Sequence, residues 1–185
     1  MSFAIEADRL ALATRGSTVL RLKETPVACR VLVLGACCSG KTSLCDELRP
    51  HHRSVIECDE AVMGAAGGVW PASAEENRRL VIESAAEAIA MSDVIFLTSW
   101  VPTEMLEVAR DSGFTIALIS MPLQELERRN RERLAEGGHS DVEHWFEPQL
   151  ENYEELLAAG LIDVALDGTL PLTRLAEELT LLCRR

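Results

Sequence analysis

Residues 30–49 read RVLVLGACCSGKTSLCDELR, and residues 35–42 within this stretch match the pattern G-x-x-x-x-G-K-[ST]. The motif follows an apolar run, residues 30–34, that predicts a buried strand, and it precedes residues 43–49, which predict a helix. Glycines let such a loop fold with its backbone N–H groups pointing inward, and the N-terminus of the helix adds partial positive charge. The order of strand, loop and helix is the context in which this motif binds nucleotide phosphates.

The loop predicts a set of nucleotide-binding residues with separate physical roles. Lys41, one of two lysines in the chain, can reach the β- and γ-phosphates, and the Thr42 hydroxyl can bind Mg2+. The other expected phosphate-binding residues contribute backbone N–H groups or small side chains: Gly35, Ala36, Cys37, Cys38, Ser39, Gly40 and Ser43. We therefore expect ATP and Mg2+ as cofactors, while GTP stays open because no residue reads the base.

The pattern of apolar runs continues beyond the loop. Four more runs without polar alternation predict strands at residues 54–57, 93–98, 114–120 and 161–166. Ser73 with Glu76, and Ser140 with Glu143, predict capping boxes at the starts of two helices. Further helix start and stop signals are Pro102, Pro122 and Pro171, and Gly113, Gly137 and Gly160. Alternating strands and helices predict an α/β three-layer sandwich with a parallel sheet.

The length of 185 residues predicts one domain over residues 30–185, preceded by an extension over residues 1–29 that does not follow this alternation. The extension fits either a hairpin turning at residues 15–17 or a short helix ended by Gly16. No apolar run approaches the roughly 20 residues that span a bilayer, and no signal-peptide layout is present. We therefore expect a cytoplasmic protein.

The charge of the chain restricts its partners. The formal net charge is −12, which repels the phosphates of nucleic acids and anionic lipids and argues against nucleic acid as a partner. No lysine follows Lys41, which excludes the Asn-Lys-x-Asp motif of GTPases, and no carboxylate ends the strand at residues 93–98, which disfavours mechanical ATPases. A small-molecule acceptor is the partner that remains.

Six cysteines occur at spacings that match no zinc motif, so we expect reduced thiols. Cys37 and Cys38 lie beside a helix N-terminus and Lys41, an environment that predicts a lowered thiol pKa and sensitivity to oxidation. The alternative is that both are small residues that simply fit the loop.

Residues 30–182 resemble the nucleoside and nucleotide kinase superfamily, including shikimate kinase-like and chloramphenicol phosphotransferase-like members. The resemblance rests on the phosphate loop, on Asp59 after the second strand, on the arginine-rich and then glycine-containing residues 128–139, and on a fifth strand followed by a helix. It implies a five-stranded parallel sheet of order 2-3-1-4-5 with a substrate cleft at the carboxyl ends of the strands. It also implies a short lid near residues 128–141.

Two acidic residues at the end of the second strand are candidates for the chemistry. Strand alternation predicts that Glu57 and Asp59 face the same side as the phosphate loop. The resemblance implies that Asp59 orients the acceptor hydroxyl and takes its proton, while Glu57 could orient magnesium-bound water. In the alternative interpretation, Asp59 and Glu60 only cap the helix that follows.

Arginines are candidates for binding negative charge. Arg129 and Arg133 are one helical turn apart among the four arginines of residues 128–133, and they are expected to meet the transferring phosphoryl group. Spacing of i,i+4 from Glu125 to Arg129 also fits a plain salt-bridged surface helix.

Arg78, Arg79 and Trp100 are candidate acceptor-binding residues. The arginines either bind an anionic acceptor or are solvated, and Trp100 either stacks on a ring or covers the core. Trp145 is expected to pack against the segment after the lid, and His51, His52 and His144 are expected on the surface.

The sequence therefore predicts an ATP-dependent kinase that phosphorylates a hydroxyl or phosphate of a nucleoside, nucleotide, metabolite or antibiotic. Because no acidic residue ends the third strand, a nucleotide-binding regulatory protein without turnover is the alternative function.

Overall fold

The sheet of this protein has five parallel strands in the order β2-β3-β1-β4-β5. The structure is a computed structural model and describes residues 28–183. Its strands are β1 (Arg30–Gly35), β2 (Val55–Glu57), β3 (Val94–Thr98), β4 (Thr115–Ser120) and β5 (Val164–Asp167). Both the α/β class and the predicted strand order are confirmed.

Helices connect the strands on both faces of the sheet. Over the described residues they are α1 (Lys41–Leu48), α2 (Cys58–Ala65), α3 (Ala74–Ala90), α4 (Thr103–Asp111), α5 (Leu123–Glu136), α6 (Phe146–Ala158) and α7 (Leu172–Leu182). A short 3-10 turn, Glu143–Trp145, precedes α6. None of the helices within residues 28–183 has the length and apolar character needed to cross a bilayer.

Two hydrophobic clusters hold the three layers together. Along β1, Leu32 and Leu34 belong to one cluster with Phe96, while Val31 and Val33 belong to the other. The second cluster is completed mainly by residues of α1 and α7. Because both faces of the sheet are covered, the central strands β1, β3 and β4 are mostly buried and apolar, and ligands have access at the carboxyl ends of the strands.

The capping signals are confirmed at one site and wrong at another. Ser73 Oγ accepts a hydrogen bond of 3.1 Å from the backbone N–H of Glu76, as predicted. The backbone N–H of Glu143 instead donates to Asp141 Oδ1 at 3.0 Å, so Ser140 does not form the second capping box. Asp141 is held in this position because the same Oδ1 accepts from the Asn130 amide at 2.7 Å.

The predicted fifth strand began three residues too early. Leu161 is buried and apolar, but its N–H donates to the carbonyl of Leu156, which closes the turn after α6. Strand pairing begins with Val164 opposite Ala117. The first part of the apolar run therefore reflects burial of a turn and not an extended strand.

The cysteine prediction is wrong for two residues. Cys29, just before β1, and Cys183, just after α7, form a disulfide across a sequence separation of 154 residues. Sequence spacing could not indicate this pair, because only the fold brings the start of β1 next to the end of α7. Cys37, Cys38, Cys45 and Cys58 are free. The predictions for the N-terminal extension concern residues that, apart from 28 and 29, lie outside the described part of the chain.

Candidate active site

A cleft with a volume of about 1430 Å³ opens at the carboxyl ends of the strands, where the fold places ligands. Most of the predicted site residues line it: Cys37, Cys38, Ser39, Gly40, Lys41, Thr42, Ser43, Glu57, Asp59, Arg78, Trp100, Arg129 and Arg133. Gly35, Ala36 and Arg79 are not among its lining residues. One cavity thus joins the phosphate loop, the two carboxylates and the candidate arginines.

The phosphate loop has a backbone shape that depends on its glycines. Cys38 and Gly40 both have positive φ, at 63° and 92°. Such alternation of backbone conformation turns successive N–H groups into one concavity, which is an anion-binding geometry. A Cβ atom on Gly35 would lie 2.7 Å from Ser39 Oγ, so a larger residue at this position would force the Ser39 side chain to shift.

Lys41 is buried within the loop that it follows. Its ammonium group donates to the carbonyls of Gly35 at 2.7 Å and Ala36 at 3.0 Å. Gly35 and Ala36 thus contact the lysine through their carbonyls, although neither residue lines the cleft.

The polar groups around the loop fit a polyphosphate. Ser39 Oγ is buried and, among the described residues, has no hydrogen-bond partner, so it can donate to an anionic oxygen. Thr42 and Ser43 are exposed to the cleft at the start of α1. An unpaired buried hydroxyl, a glycine-dependent concavity and a helix N-terminus together suit phosphate groups.

Glu57 and Asp59 both line the cleft, but the local structure that positions them differs from the predicted one. Strand β2 ends at Glu57, whose Oε2 accepts from the backbone N–H of Glu60 at 2.9 Å and so caps α2. Asp59 lies in the first turn of α2, and strand alternation therefore does not place it. The alternative in which Asp59 and Glu60 are the capping side chains is also wrong, because Glu57 has that role.

The pKa values of both carboxyl groups are raised. Desolvation in the cleft raises the pKa of Asp59, and the positive charge of Lys41 opposes this. Burial raises the pKa of Glu57, and the negative charge of Asp59 adds to the effect. A carboxylate with a raised pKa near a lysine is suited to accept a proton from a hydroxyl group.

Of the four arginines of α5, Arg129 makes the closest contacts with the phosphate loop. Its Nη1 lies 3.3 Å from the carbonyl of Ser39, and its Nη2 lies 3.2 Å from the carbonyl of Gly168. Glu125 accepts from its Nε at 2.9 Å and fixes the direction of the side chain. The adjacent Arg128 is exposed and pairs with Glu125 and Glu132.

Arg133 lines the same cleft from the next turn of α5. Its Nη2 donates to the carbonyl of Ser140 at 2.8 Å, while its Nε is buried without a partner among the described residues. Arg131 is exposed and does not line the cleft. The predicted shared face of Arg129 and Arg133 thus faces the site.

The two loop cysteines lie in different environments. The N–H of Cys37 donates to Gln149 Oε1 of α6 at 2.9 Å. Burial raises the pKa of the Cys38 thiol, although Arg133, Lys41 and Arg129 act in the opposite direction. The expected lowering of the thiol pKa is therefore wrong for Cys38, because desolvation exceeds the effect of these cations.

Of two adjacent arginines on α3, Arg78 lines the acceptor side of the cleft and Arg79 does not. The guanidinium carbon of Arg78 lies 5.2 Å from the centroid of the Trp100 ring. Arg79 does not line the cleft and pairs with Glu83 at 2.8 Å on the exposed side of α3, so the structure does not bring it to the predicted acceptor site. A rotation of about 100° per residue along a helix accounts for the difference.

Several residues of the cleft were missed by the sequence analysis. All three tryptophans of the chain line it, and Trp70 and Trp145 are 50% and 52% exposed. The packing predicted for Trp145 is wrong, because it is half exposed at the cleft. His144 is exposed, as predicted, and also lines the cleft, as do His139, Asp141, Gln149, Asn152 and Asn77. One feature of the sequence could have indicated the tryptophans. Aromatic residues make up only 4% of the chain, and the tryptophans follow predicted strands or the predicted lid.

Comparisons with known proteins identify solved structures that have the same fold. No protein-family model matches the chain, and no curated protein is significantly similar in sequence. A gluconokinase structure from Sinorhizobium meliloti 1021 is 18% identical, with a TM-score of 0.61 over 86% of this chain and 93% of that one. A shikimate kinase from Acinetobacter baumannii in complex with shikimate is 12% identical, with a TM-score of 0.68 over 85% and 93%.

A third similar structure is the tunicamycin resistance protein of Deinococcus radiodurans, which is 15% identical with a TM-score of 0.54 over 83% of this chain and 94% of that one. At these identities the likenesses establish the fold and not the substrate. The chain therefore shares its fold with these kinase and resistance-protein structures.

Proposed function

We propose that this chain, which has the fold of the P-loop kinases, is an ATP- and Mg2+-dependent phosphotransferase acting in the cytoplasm on a hydroxyl or phosphate of a small molecule. The observation that carries the proposal is one cleft in which the phosphate loop, Lys41 and Asp59 face each other. The names of the similar structures, a gluconokinase and a shikimate kinase, support a small acceptor.

The donor end is built around the loop. Bound MgATP supplies the γ-phosphoryl group and a cation that offsets its charge. Thr42 would hold the cation, Glu57 would orient its water, and the loop N–H groups with Ser39 Oγ would bind the phosphates. Lys41 and Arg129 supply positive charge where negative charge develops on the transferring group.

The acceptor end combines a base, a cation and aromatic surfaces. Asp59 would accept the proton of the acceptor hydroxyl as the new bond to phosphorus forms. Arg78 would bind an anionic group, and Trp100 beneath it offers a flat apolar face. Trp70 and Trp145, half exposed in the same cleft, favour an acceptor with a ring, such as a nucleoside, a sugar-like metabolite or an antibiotic.

The decisive experiment is transfer of labelled γ-phosphate from ATP, with Mg2+, to pooled nucleosides, nucleotides, sugars, and aminoglycoside and phenicol antibiotics. A labelled product that disappears in the Lys41→Ala and Asp59→Asn variants would support a kinase and identify its acceptor. Tight ATP binding without any labelled product would instead favour a nucleotide-binding regulatory protein without turnover.

Arg129→Ala is expected to lower kcat by about tenfold to a hundredfold, since it removes a cation that contacts the phosphate loop. The matched control is Arg128→Ala, which removes the adjacent exposed arginine and should leave kcat unchanged. Steady-state kinetics on the identified acceptor measures both variants. Equal rates for the two variants would contradict a role for Arg129 in transfer.

Arg78→Ala is expected to raise the KM of an anionic acceptor by about tenfold or more while leaving the KM for ATP unchanged, because it removes a charged hydrogen-bonding partner worth about 1.5–3 kcal/mol. Arg79→Ala is the matched control, as this neighbour pairs with Glu83 outside the cleft. Acceptor binding should also change the tryptophan fluorescence of the wild type, because all three tryptophans line the cleft. An unchanged acceptor KM in Arg78→Ala would remove this residue from the acceptor site.

A further inference from the structure

A cluster of soft metal ligands lies away from the cleft, at the amino-terminal side of the sheet. It consists of Cys29 before β1, His52 between α1 and β2, and Cys183 after α7. The ligand atoms of these three residues all lie within 4.8 Å of one another. Both cysteines are buried and His52 is half-buried.

We propose that Cys29, His52 and Cys183 form a thiol-dependent binding site for a thiophilic divalent cation such as Zn2+. The site exists when the disulfide is reduced and is lost when the disulfide forms. Two sulfurs and one imidazole nitrogen are a donor set that zinc prefers, and a water molecule can complete four-coordination. The two alternatives are mutually exclusive because a sulfur in a disulfide is no longer a thiolate.

A hydrogen bond to Thr180 assigns the tautomer of His52 and leaves one ring nitrogen free for a ligand. Thr180 Oγ1 donates its single proton to the carbonyl of Ala176 at 2.8 Å. Toward His52 Nε2, at 3.1 Å, the same hydroxyl can therefore only accept, so Nε2 carries the ring proton. The neutral ring then has its lone pair on Nδ1. A histidine whose other ring N–H is held by a second group is the usual arrangement at a metal site.

The redox step balances with an external dithiol as reductant. Its two thiols transfer two electrons and two protons to the Cys29–Cys183 bond, giving two thiols on the protein and one disulfide in the reductant. Binding of the cation then releases the two thiol protons to solvent. A reducing compartment favours the cation-binding form, and an oxidising one favours the disulfide.

The cluster joins β1 and α7, the two elements that lead to the nucleotide-binding end of the cleft. Strand β1 leads from Cys29 into the phosphate loop, and the first turns of α7 place Leu172 and Leu175 at the wall of the cleft. In the oxidised form a covalent bond joins the far ends of these elements, and in the reduced form the cation would join them.

The test uses the whole chain reduced with a dithiol, which is removed under anaerobic conditions before titration with Co2+ and then Zn2+. We expect one equivalent of Co2+ to bind with the visible spectrum of tetrahedral thiolate coordination, and Zn2+ to displace it. Oxidised protein should show no such spectrum. Cys29→Ser and Cys183→Ser should each abolish it, whereas Cys45→Ala with Cys58→Ala should retain it.

Two variants keep both cysteines and isolate the histidine. His52→Ala and Thr180→Val should each weaken Zn2+ binding by about tenfold or more, because the first removes a ligand and the second its orienting group. Circular dichroism checks that each variant is folded. The proposal would be overturned if the reduced wild type bound no more cation than Cys29→Ser, or if neither His52→Ala nor Thr180→Val changed the affinity.

Discussion

Asp59→Asn is expected to lower kcat by about 10²- to 10⁴-fold while leaving the affinity for MgATP nearly unchanged, since general base catalysis contributes in this range. The asparagine keeps the shape of the side chain and its place in the first turn of α2, but it cannot take a proton. Because the phosphate loop is untouched, ATP binding should persist. Isothermal titration with ATP and single-turnover transfer to the acceptor separate these two quantities.

The matched control for this substitution is Glu60→Gln. Glu60 lies beside Asp59 on α2, is exposed, and pairs with Arg49 instead of lining the cleft. Its loss should leave kcat unchanged, because an exposed ion pair contributes little. A protein in which Asp59→Asn turns over like Glu60→Gln would not use Asp59 as its base.

The pH dependence of kcat follows from the raised pKa of Asp59. The base works only as a carboxylate, so kcat falls as the pH falls through this pKa. Because desolvation raises the pKa, the acid limb should lie above the ordinary aspartate value of about 3.9. Because the charge of Asp59 affects the pKa of Glu57, the acid limb of the pH profile reports both carboxyl groups together. The residual activity of Asp59→Asn should lack this acid limb.

The predicted site residues that the structure brings to the cleft are mainly those whose position follows from the chain immediately around them. The phosphate loop could be placed from the sequence because its turn and the contacts of Lys41 with Gly35 and Ala36 involve residues close together in the chain. Arg129 and Arg133 could be paired because they are one turn apart on one helix. The order of the strands could be predicted only through the resemblance, since the sequence of one strand does not indicate which strand pairs with it.

The residues that were missed depend on how distant elements pack. Whether Arg78 or Arg79 faces the cleft depends on the rotation of α3, which the sequence around them leaves open. Gln149 reaches Cys37 across 112 residues, and Cys29 meets Cys183 across 154. Asp59 was placed in the cleft for the wrong reason, because β2 ends at Glu57, which caps α2, and Asp59 lies in the first turn of that helix instead of on the strand.

Lys41→Met is expected to lower kcat by about 10²- to 10³-fold and to weaken ATP binding as well, because the ammonium group stabilises charge on the transferring phosphoryl group. This double effect distinguishes it from Asp59→Asn, which should change only turnover. Lys41→Arg should not restore activity, since the lysine is buried and its ammonium group fits between the carbonyls of Gly35 and Ala36.

The same substitution has a consequence for stability. Without the ammonium group the carbonyls of Gly35 and Ala36 lose a buried donor, at a cost of about 1–3 kcal/mol for an unsatisfied group. Thermal unfolding of Lys41→Met should therefore begin at a lower temperature. Lys41→Arg keeps the positive charge but changes the shape of the side chain. Its unfolding temperature therefore separates the effect of the charge from the effect of the fit between the two carbonyls.

Lys41→Met should also shift the titration of Asp59. The positive charge of Lys41 lowers the pKa of Asp59 against the effect of desolvation, so its removal should raise that pKa further. The acid limb of the residual activity, or the carboxyl carbon resonance of Asp59, should then move to higher pH. If neither moved while turnover collapsed, Lys41 and Asp59 would not share one electrostatic environment, and a single transfer site containing both would be untenable.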